Sequence, residues 1–122
     1  MCSSDLLGQV DDVAPWMQAA DVLITKAGSS TVMEAIHVGL PMVLSGSLPQ
    51  EKATAHYLEA RGVAEVADRP EDAAQRAVDL LREPHRLRSL VERSAELRRP
   101  YAAREAAAII LDLAECKRGN AM

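Results

Sequence analysis

The stretch that most constrains this chain is Thr25-Lys26-Ala27-Gly28-Ser29-Ser30-Thr31-Val32-Met33-Glu34-Ala35. A short apolar run, Asp21 to Thr25, leads into a Gly/Ser turn, and helical periodicity starts at Thr31 and stops at Gly39-Leu40-Pro41. A strand, a small-residue turn and a helix start in that order leave unpaired backbone N–H groups at the strand's end. The positive end of the helix dipole falls at the same point, so the stretch suits a phosphate group.

The elements around it alternate. Leu6 to Val10 reads as a short strand. Asp11 or Asp12 then caps a helix with Pro15 in its first turn and Val13, Trp16, Met17 and Ala20 facing inward. Val22 to Thr25 is a continuous apolar run of the kind found in parallel strands covered on both faces. A helix over Thr31 to Val38 buries Val32, Ala35 and Ile36, with Gly39 as its terminator. Met42 to Leu44 is the next strand, Ser45 to Gln50 a loop, and Glu51 to Arg61 a helix with Ala55 and Leu58 inward. Val63 to Val66 is a last strand.

Asp68-Arg69-Pro70-Glu71 has capping-box spacing and opens a helix whose face is Ala74, Ala77, Val78 and Leu81. After Glu83-Pro84 comes a basic amphipathic helix carrying Leu87, Leu90, Val91 and Leu97 against Arg86, Arg88, Arg93 and Arg98. Such a helix packs its Leu stripe on the domain or lies on anionic lipid, and the first is the commoner arrangement. Tyr101 to Glu115 is a final helix, and Lys117 to Met122 is expected to fray as a disordered tail. Met1 to Asp5 shares no pattern with the rest of the chain, as expected of a non-native or disordered start.

Strands alternating with helices predict an α/β fold with a parallel sheet and helices on both faces. Four strands are expected here, whereas a doubly wound nucleotide-binding domain has about six, so the chain reads as an incomplete, N-terminally truncated domain over residues 6–116. The core must come from Ala, Leu and Val, because Phe is absent and aromatic residues make up 2% of the chain. A net charge of −4 weighs against nucleic acid as a partner, since neutralising its backbone needs a basic face. Cys2 and Cys116 have no metal or redox spacing and fit free thiols in a reducing cytoplasm. No apolar run reaches the roughly 20 residues of a membrane span, while contact with a membrane surface stays open.

Several residues admit two readings. Gly28-Ser29-Ser30 is neither a dinucleotide fingerprint nor a P-loop. It is an anion cradle at a strand's carboxyl end, or a turn needing a permissive glycine. Glu34 either completes a capping box with Thr31 or accepts hydrogen bonds from ribose hydroxyls. Lys26 offsets diphosphate charge or is a solvated cation. Gln50 and Glu51 cap the next helix or face sugar hydroxyls. His37, His56 and His85 are scattered, and no cluster has metal-ligand spacing.

From Gly8 to about Glu115 the chain resembles the C-terminal, donor-binding domain of GT-B glycosyltransferases. The similar subgroup contains monogalactosyldiacylglycerol synthase, bacterial diacylglycerol glucosyltransferase and the peptidoglycan N-acetylglucosaminyltransferase. The residues that carry this are Ala20-Asp21-Val22-Leu23-Ile24-Thr25-Lys26-Ala27-Gly28, Thr31-Val32-x-Glu34-Ala35, Gly39-Leu40-Pro41 and Gln50-Glu51. The resemblance implies a Rossmann-like fold that binds a UDP-sugar. The backbone near Val10 would hold the uracil edge. Ser29, Ser30 and Thr31 would receive the diphosphate, Glu34 the ribose hydroxyls, and Gln50 and Glu51 the donor sugar. Pro49 and Thr54 depart from the Gly and Asn usual there, which leaves glucose, galactose and N-acetylglucosamine open.

The same resemblance implies an inverting hexosyl transfer to a lipid-linked acceptor in glycolipid synthesis, with no cofactor and no metal. The acceptor site and general base would belong to an N-terminal domain, so no catalytic residue is assigned in this chain and it is expected to be inactive alone. The expected place is the cytoplasm, peripheral to the membrane face. The alternatives are a donor-binding subunit of a split glycosyltransferase and a non-catalytic nucleotide-sugar module. An epimerase of the same fold is disfavoured, because its catalytic acids have no counterpart here.

Overall fold

A computed structural model describes residues 6–120. The elements are α1 (Ala14–Ala19), β1 (Leu23–Thr25), α2 (Ser29–Val38), β2 (Met42–Leu44), a 3-10 turn (Pro49–Glu51), α3 (Lys52–Ala60), β3 (Ala64–Val66), α4 (Pro70–Arg82), α5 (Pro84–Leu97) and α6 (Ala102–Asn120). The strands form a parallel sheet in the order β1-β2-β3, with Ile24 opposite Val43 and Val43 opposite Glu65. This is the expected α/β, Rossmann-like arrangement.

The central strand divides the core by its two-residue alternation. Met42 and Leu44 point into a cluster with Val32, Ala35, Ile36 and Leu58, whereas Val43 points into one with Ala73, Ala77, Leu80 and Leu90. Helices α2 and α3 therefore cover one face and α4 the other, while α5 packs Leu87 and Leu90 on the second cluster and Leu97 on the first.

Several expectations change. Leu6 to Val10 is not a strand: it is irregular and exposed, with no neighbouring strand among the described residues to take its backbone groups. The sheet thus has three strands among the described residues. β1 is an edge strand whose cover is only partial: Leu23 packs on one core cluster and Val22 on the other, but Ile24 is 47% exposed. In α1 only Met17 is buried, while Val13, Trp16 and Ala20 face out; Asp12 Oδ1 does accept the Ala14 N–H at 3.0 Å. The buried face of α4 is Ala73, Ala77 and Leu80, not Ala74, Val78 and Leu81.

The Asp68–Glu71 capping box does not form either. Arg69 occupies the cap position, without a side-chain cap, and its guanidinium binds Asp72 at 3.0 and 3.2 Å. On α5, Leu90 is buried and Leu87 and Leu97 are half-buried, so the leucine stripe packs on the domain. Arg86 is not part of a solvated face. Its Nε donates to Glu65 of β3 at 2.7 Å and its other arm to Glu83 at 2.9 Å, a pairing that raises its pKa. Helix α6 runs through Asn120, and its residues as far as Gly119 are exposed.

Gly39 ends α2 at φ +80°, where its N–H reaches the Ala35 and Ile36 carbonyls. A side chain at this φ crowds the following carbonyl. Gly39→Ala is expected to lower stability by about 1–2 kcal/mol in urea denaturation, with an unchanged m-value.

Candidate functional site

The carboxyl end of β1 and the start of α2 form the site's floor. Ser45 N–H donates to the Thr25 carbonyl and Ala27 N–H to Ser47 Oγ, at 2.9 and 3.0 Å, which ties the turn after β1 to the loop after β2. Helix α2 starts at Ser29, two residues earlier than its periodicity predicts, with Gly28 as the cap residue and no side-chain cap. Its first backbone bond runs from Val32 N–H to the Gly28 carbonyl at 3.0 Å. The N–H groups of Ser29, Ser30 and Thr31 thus have no acceptor among the described residues. They point out of the end of the helix where anions are favoured.

Gly28 is not there to permit a positive φ, since its φ is −68° and its ψ 129°. An added Cβ would stand 3.6 Å from Lys26 Nζ and 3.8 Å from Glu51 Oε1, in ordinary contact. Its missing side chain instead keeps the approach to the helix terminus open.

Glu34 is the sixth residue of α2 and cannot cap a helix whose cap is Gly28, so the Thr31–Glu34 capping box is not formed. Its carboxylate is exposed and has no hydrogen-bond partner among the described residues. It stands between two largely apolar hollows of about 330 Å³ each. One is bounded by Met33, Ile36 and the Arg98–Arg99 turn. The other is bounded by Trp16, Leu23 and Thr31, and joins Glu34 to Thr31 in the first turn of α2. Trp16, expected inside, is 52% exposed and gives this hollow an aromatic wall. The only signal for it in the sequence is that it is the single Trp of a chain poor in aromatics.

Lys26 and Glu51 lie beside Gly28, the cap residue of α2. Lys26 Nζ donates to Glu51 Oε1 at 2.5 Å, and Leu48 N–H donates to Glu51 Oε2 at 2.9 Å. The bond from Lys26, then the one from Leu48, holds the Glu51 carboxyl below the ordinary carboxylate range. Lys26 is therefore not a free cation in this state. Glu51 caps the 3-10 turn, which is the plainer of its two readings. Gln50 is exposed beside it. Val10 lies in the irregular segment before α1 and lines neither hollow that Glu34 lines.

A polar cleft of about 320 Å³ opens farther along the same sheet edge, between Ser45, Ser47, Lys52, His56 and Asp68. No sequence signal marks it beyond the i, i+4 spacing of Lys52 and His56 on α3. His37 lines an apolar hollow, and His56 Nδ1 lies 3.9 Å from Glu59. Among the described residues no group of His, Cys, Asp and Glu side chains is arranged to hold a metal.

Residues 5–108 match the family model described as the glycosyltransferase family 28 C-terminal domain. The processive diacylglycerol beta-glucosyltransferase of Staphylococcus carnosus (strain TM300) is 30% identical over 97 residues, covering 79% of this chain and 25% of that protein. The protein of the same name from Bacillus pumilus (strain SAFR-032) is 35% identical over 92 residues, covering 75% of this chain and 24% of its own length. The chain thus spans about a quarter of the length of these curated relatives.

Proposed function

Because this chain belongs to the glycosyltransferase family 28 C-terminal domain family, we propose that it binds the UDP-sugar donor of an inverting glycosyltransferase. One observation carries the reading. Thr31, the last of three residues with free N–H groups at the start of α2, lines one hollow together with the unpaired Glu34 and Trp16. That set matches a diphosphate next to a ribose and a base. The N–H groups and the hydroxyls of Ser29, Ser30 and Thr31 take the phosphate oxygens, and Glu34 accepts from the ribose hydroxyls. Gln50 lies at the mouth, where the hexose would project.

In the reaction, an acceptor hydroxyl attacks the anomeric carbon as the bond from that carbon to the UDP oxygen breaks. The configuration inverts and UDP leaves with the bonding pair. This chain's part is to stabilise negative charge building on the departing diphosphate, through fixed N–H dipoles that need no reorganisation. In this reading no metal or cofactor is required, and the acceptor's proton goes to a base outside the donor-binding residues. The names of the relatives support diacylglycerol as acceptor and glucose as the sugar, hence glycolipid synthesis. The protein would meet that lipid from the cytoplasmic side, as a peripheral protein. Among the described residues no helix is long and apolar enough to cross a membrane.

Calorimetric titration with UDP, UDP-glucose, ADP and inorganic pyrophosphate tests the proposal. Saturable binding of UDP and UDP-glucose, with ADP and pyrophosphate weaker, is expected. A folded chain that binds no uridine nucleotide overturns it.

A further inference from the structure

The polar cleft at the carboxyl ends of β2 and β3 shares no lining residue with the two hollows beside Glu34. Its floor is apolar and buried, made by Leu44, Ala55 and Ala67. Its walls are polar: Ser45 and Ser47 from the loop after β2, Lys52 and His56 from α3, and Asp68 from the segment after β3. Lys52 and His56 are four residues apart and so share one helix face. The charges in these walls are not matched among themselves. His56 Nδ1 has Glu59 at 3.9 Å, but the Lys52 ammonium has no acidic partner among the described residues. Asp68 lines the same cleft and pairs neither with Lys52 nor with any other cation among the described residues. Ser47 Oγ accepts the Ala27 N–H at 3.0 Å and keeps its own proton to donate, and Ser45 Oγ is shielded from solvent with no partner among the described residues.

We propose that this cleft binds a small polyol phosphate, with the phosphate between Lys52, His56 and the Ser47 hydroxyl and a polyol hydroxyl donating to Asp68. A cation and a carboxylate that line one cleft of about 320 Å³ without pairing suit a ligand carrying an anion and hydrogen-bond donors a short distance apart. Phosphate fits the Lys52 side because it offers several charged oxygens to an ammonium, an imidazole and a hydroxyl, and charge-assisted bonds of this kind are strong. Asp68 accepts from a hydroxyl but repels a bare anion, so it selects the ester over inorganic phosphate. The carbon chain between them lies on the floor of Leu44, Ala55 and Ala67. The carboxyl ends of strands are where open α/β sheets place their ligands, and β2 and β3 end here. Free glycerol phosphate and a phosphatidylglycerol head group both carry this chemistry. The site stands whether or not α2 holds a nucleotide.

The test titrates the intact chain, Lys52→Met and Asp68→Ala with glycerol phosphate and with inorganic phosphate, in the absence and presence of UDP. The intact chain is expected to bind glycerol phosphate saturably and about tenfold more tightly than inorganic phosphate, as for one added hydrogen bond to a charged acceptor. UDP should leave that binding unchanged. Lys52→Met is expected to lose about tenfold for both phosphates. Asp68→Ala should lose the preference for the ester while binding inorganic phosphate at least as tightly. Both side chains are exposed, and circular dichroism checks that the variants stay folded. Flotation with phosphatidylglycerol vesicles separates the two sources: binding that Lys52→Met weakens assigns the head group, and binding to glycerol phosphate alone assigns the free ester. A folded chain that binds neither glycerol phosphate nor the vesicles overturns the proposal. Binding that Lys52→Met leaves unchanged, or that UDP competes away, overturns it as well.

Discussion

Leu44→Ala is expected to remove about 3–5 kcal/mol from the stability of this domain, the upper part of the range for opening a cavity in a core. Leu44 is 0% exposed and lies at the end of the central strand, against the cluster that includes Val32, Ala35, Ile36 and Leu58. Those neighbours lie on α2 and α3, while its own backbone is held in the sheet, with Thr25 and Val66 paired on either side and the Ala67 N–H on its carbonyl at 2.9 Å. The strand cannot shift toward the helices without breaking that ladder, so much of the cavity persists. Small domains have about 5–15 kcal/mol in all, so the loss is a large share. Urea denaturation followed by circular dichroism measures it, with Leu48→Ala as the control. Leu48 is half in solvent and should cost well under half as much. A loss below about 1 kcal/mol for Leu44→Ala would mean that β2 does not organise the core. Because the residue after Leu44 binds the Thr25 carbonyl through its N–H, the same substitution loosens the loop that shapes the site.

What the sequence conveys depends on whether the deciding interaction is local. Met42-Val43-Leu44 is legible because three apolar residues flanked by a Gly-Leu-Pro stop and a Ser-rich loop have few alternatives to a buried strand. Helix α2 is legible because Val32, Ala35 and Ile36 share one face and Gly39 supplies the only backbone that ends it without strain. Leu6 to Val10 has the same local signature as a strand, but a strand exists only where another can pair with it, and no pattern within five residues encodes the partner. The face of α4 is ambiguous for a different reason. Ala73 and Ala74 are identical, as are Leu80 and Leu81, so two neighbouring stripes carry nearly equal hydrophobicity. Only the packing against Val43 and Leu90 chooses between them.

The site divides in the same way. The exposed N–H groups at the start of α2 follow from its own residues, since a strand, a small-residue turn and a helix suffice to leave them unpaired. Its register is less legible, because Thr31 with Glu34 offers a capping box while Gly28 starts the helix earlier. The Ala27 N–H bond to Ser47 Oγ shows what sets that start: a residue twenty positions away holds the turn. The Lys26–Glu51 bond spans 25 positions. Each residue type is recognisable as a donor-site candidate, yet their mutual occupation is a product of the fold. Trp16 escapes sequence reasoning for a related reason. Helical periodicity assigns a stripe to the interior, but α1 has only six residues and buries Met17 alone.

Glu34→Ala should lower UDP affinity by about tenfold to a hundredfold while leaving the fold intact. Two hydrogen bonds from ribose hydroxyls to a charged acceptor account for a loss of that size. The carboxylate is exposed and has no partner among the described residues, so its removal is expected to change stability by less than about 0.5 kcal/mol. Calorimetric titration gives the first number and urea denaturation the second. A third measurement identifies the ligand group: the unaltered chain should prefer UDP to its 2′-deoxy analogue, and Glu34→Ala should lose most of that preference. A capping role predicts the reverse pattern, a clear loss of stability with UDP affinity unchanged. The early start of α2 at Ser29 argues against that outcome, because it places Glu34 a full turn and more inside the helix, where its oxygens cannot reach the first N–H groups. The acid is instead left free at the rim of the Trp16 hollow, where the proposed donor's ribose hydroxyls would supply the donors its oxygens lack.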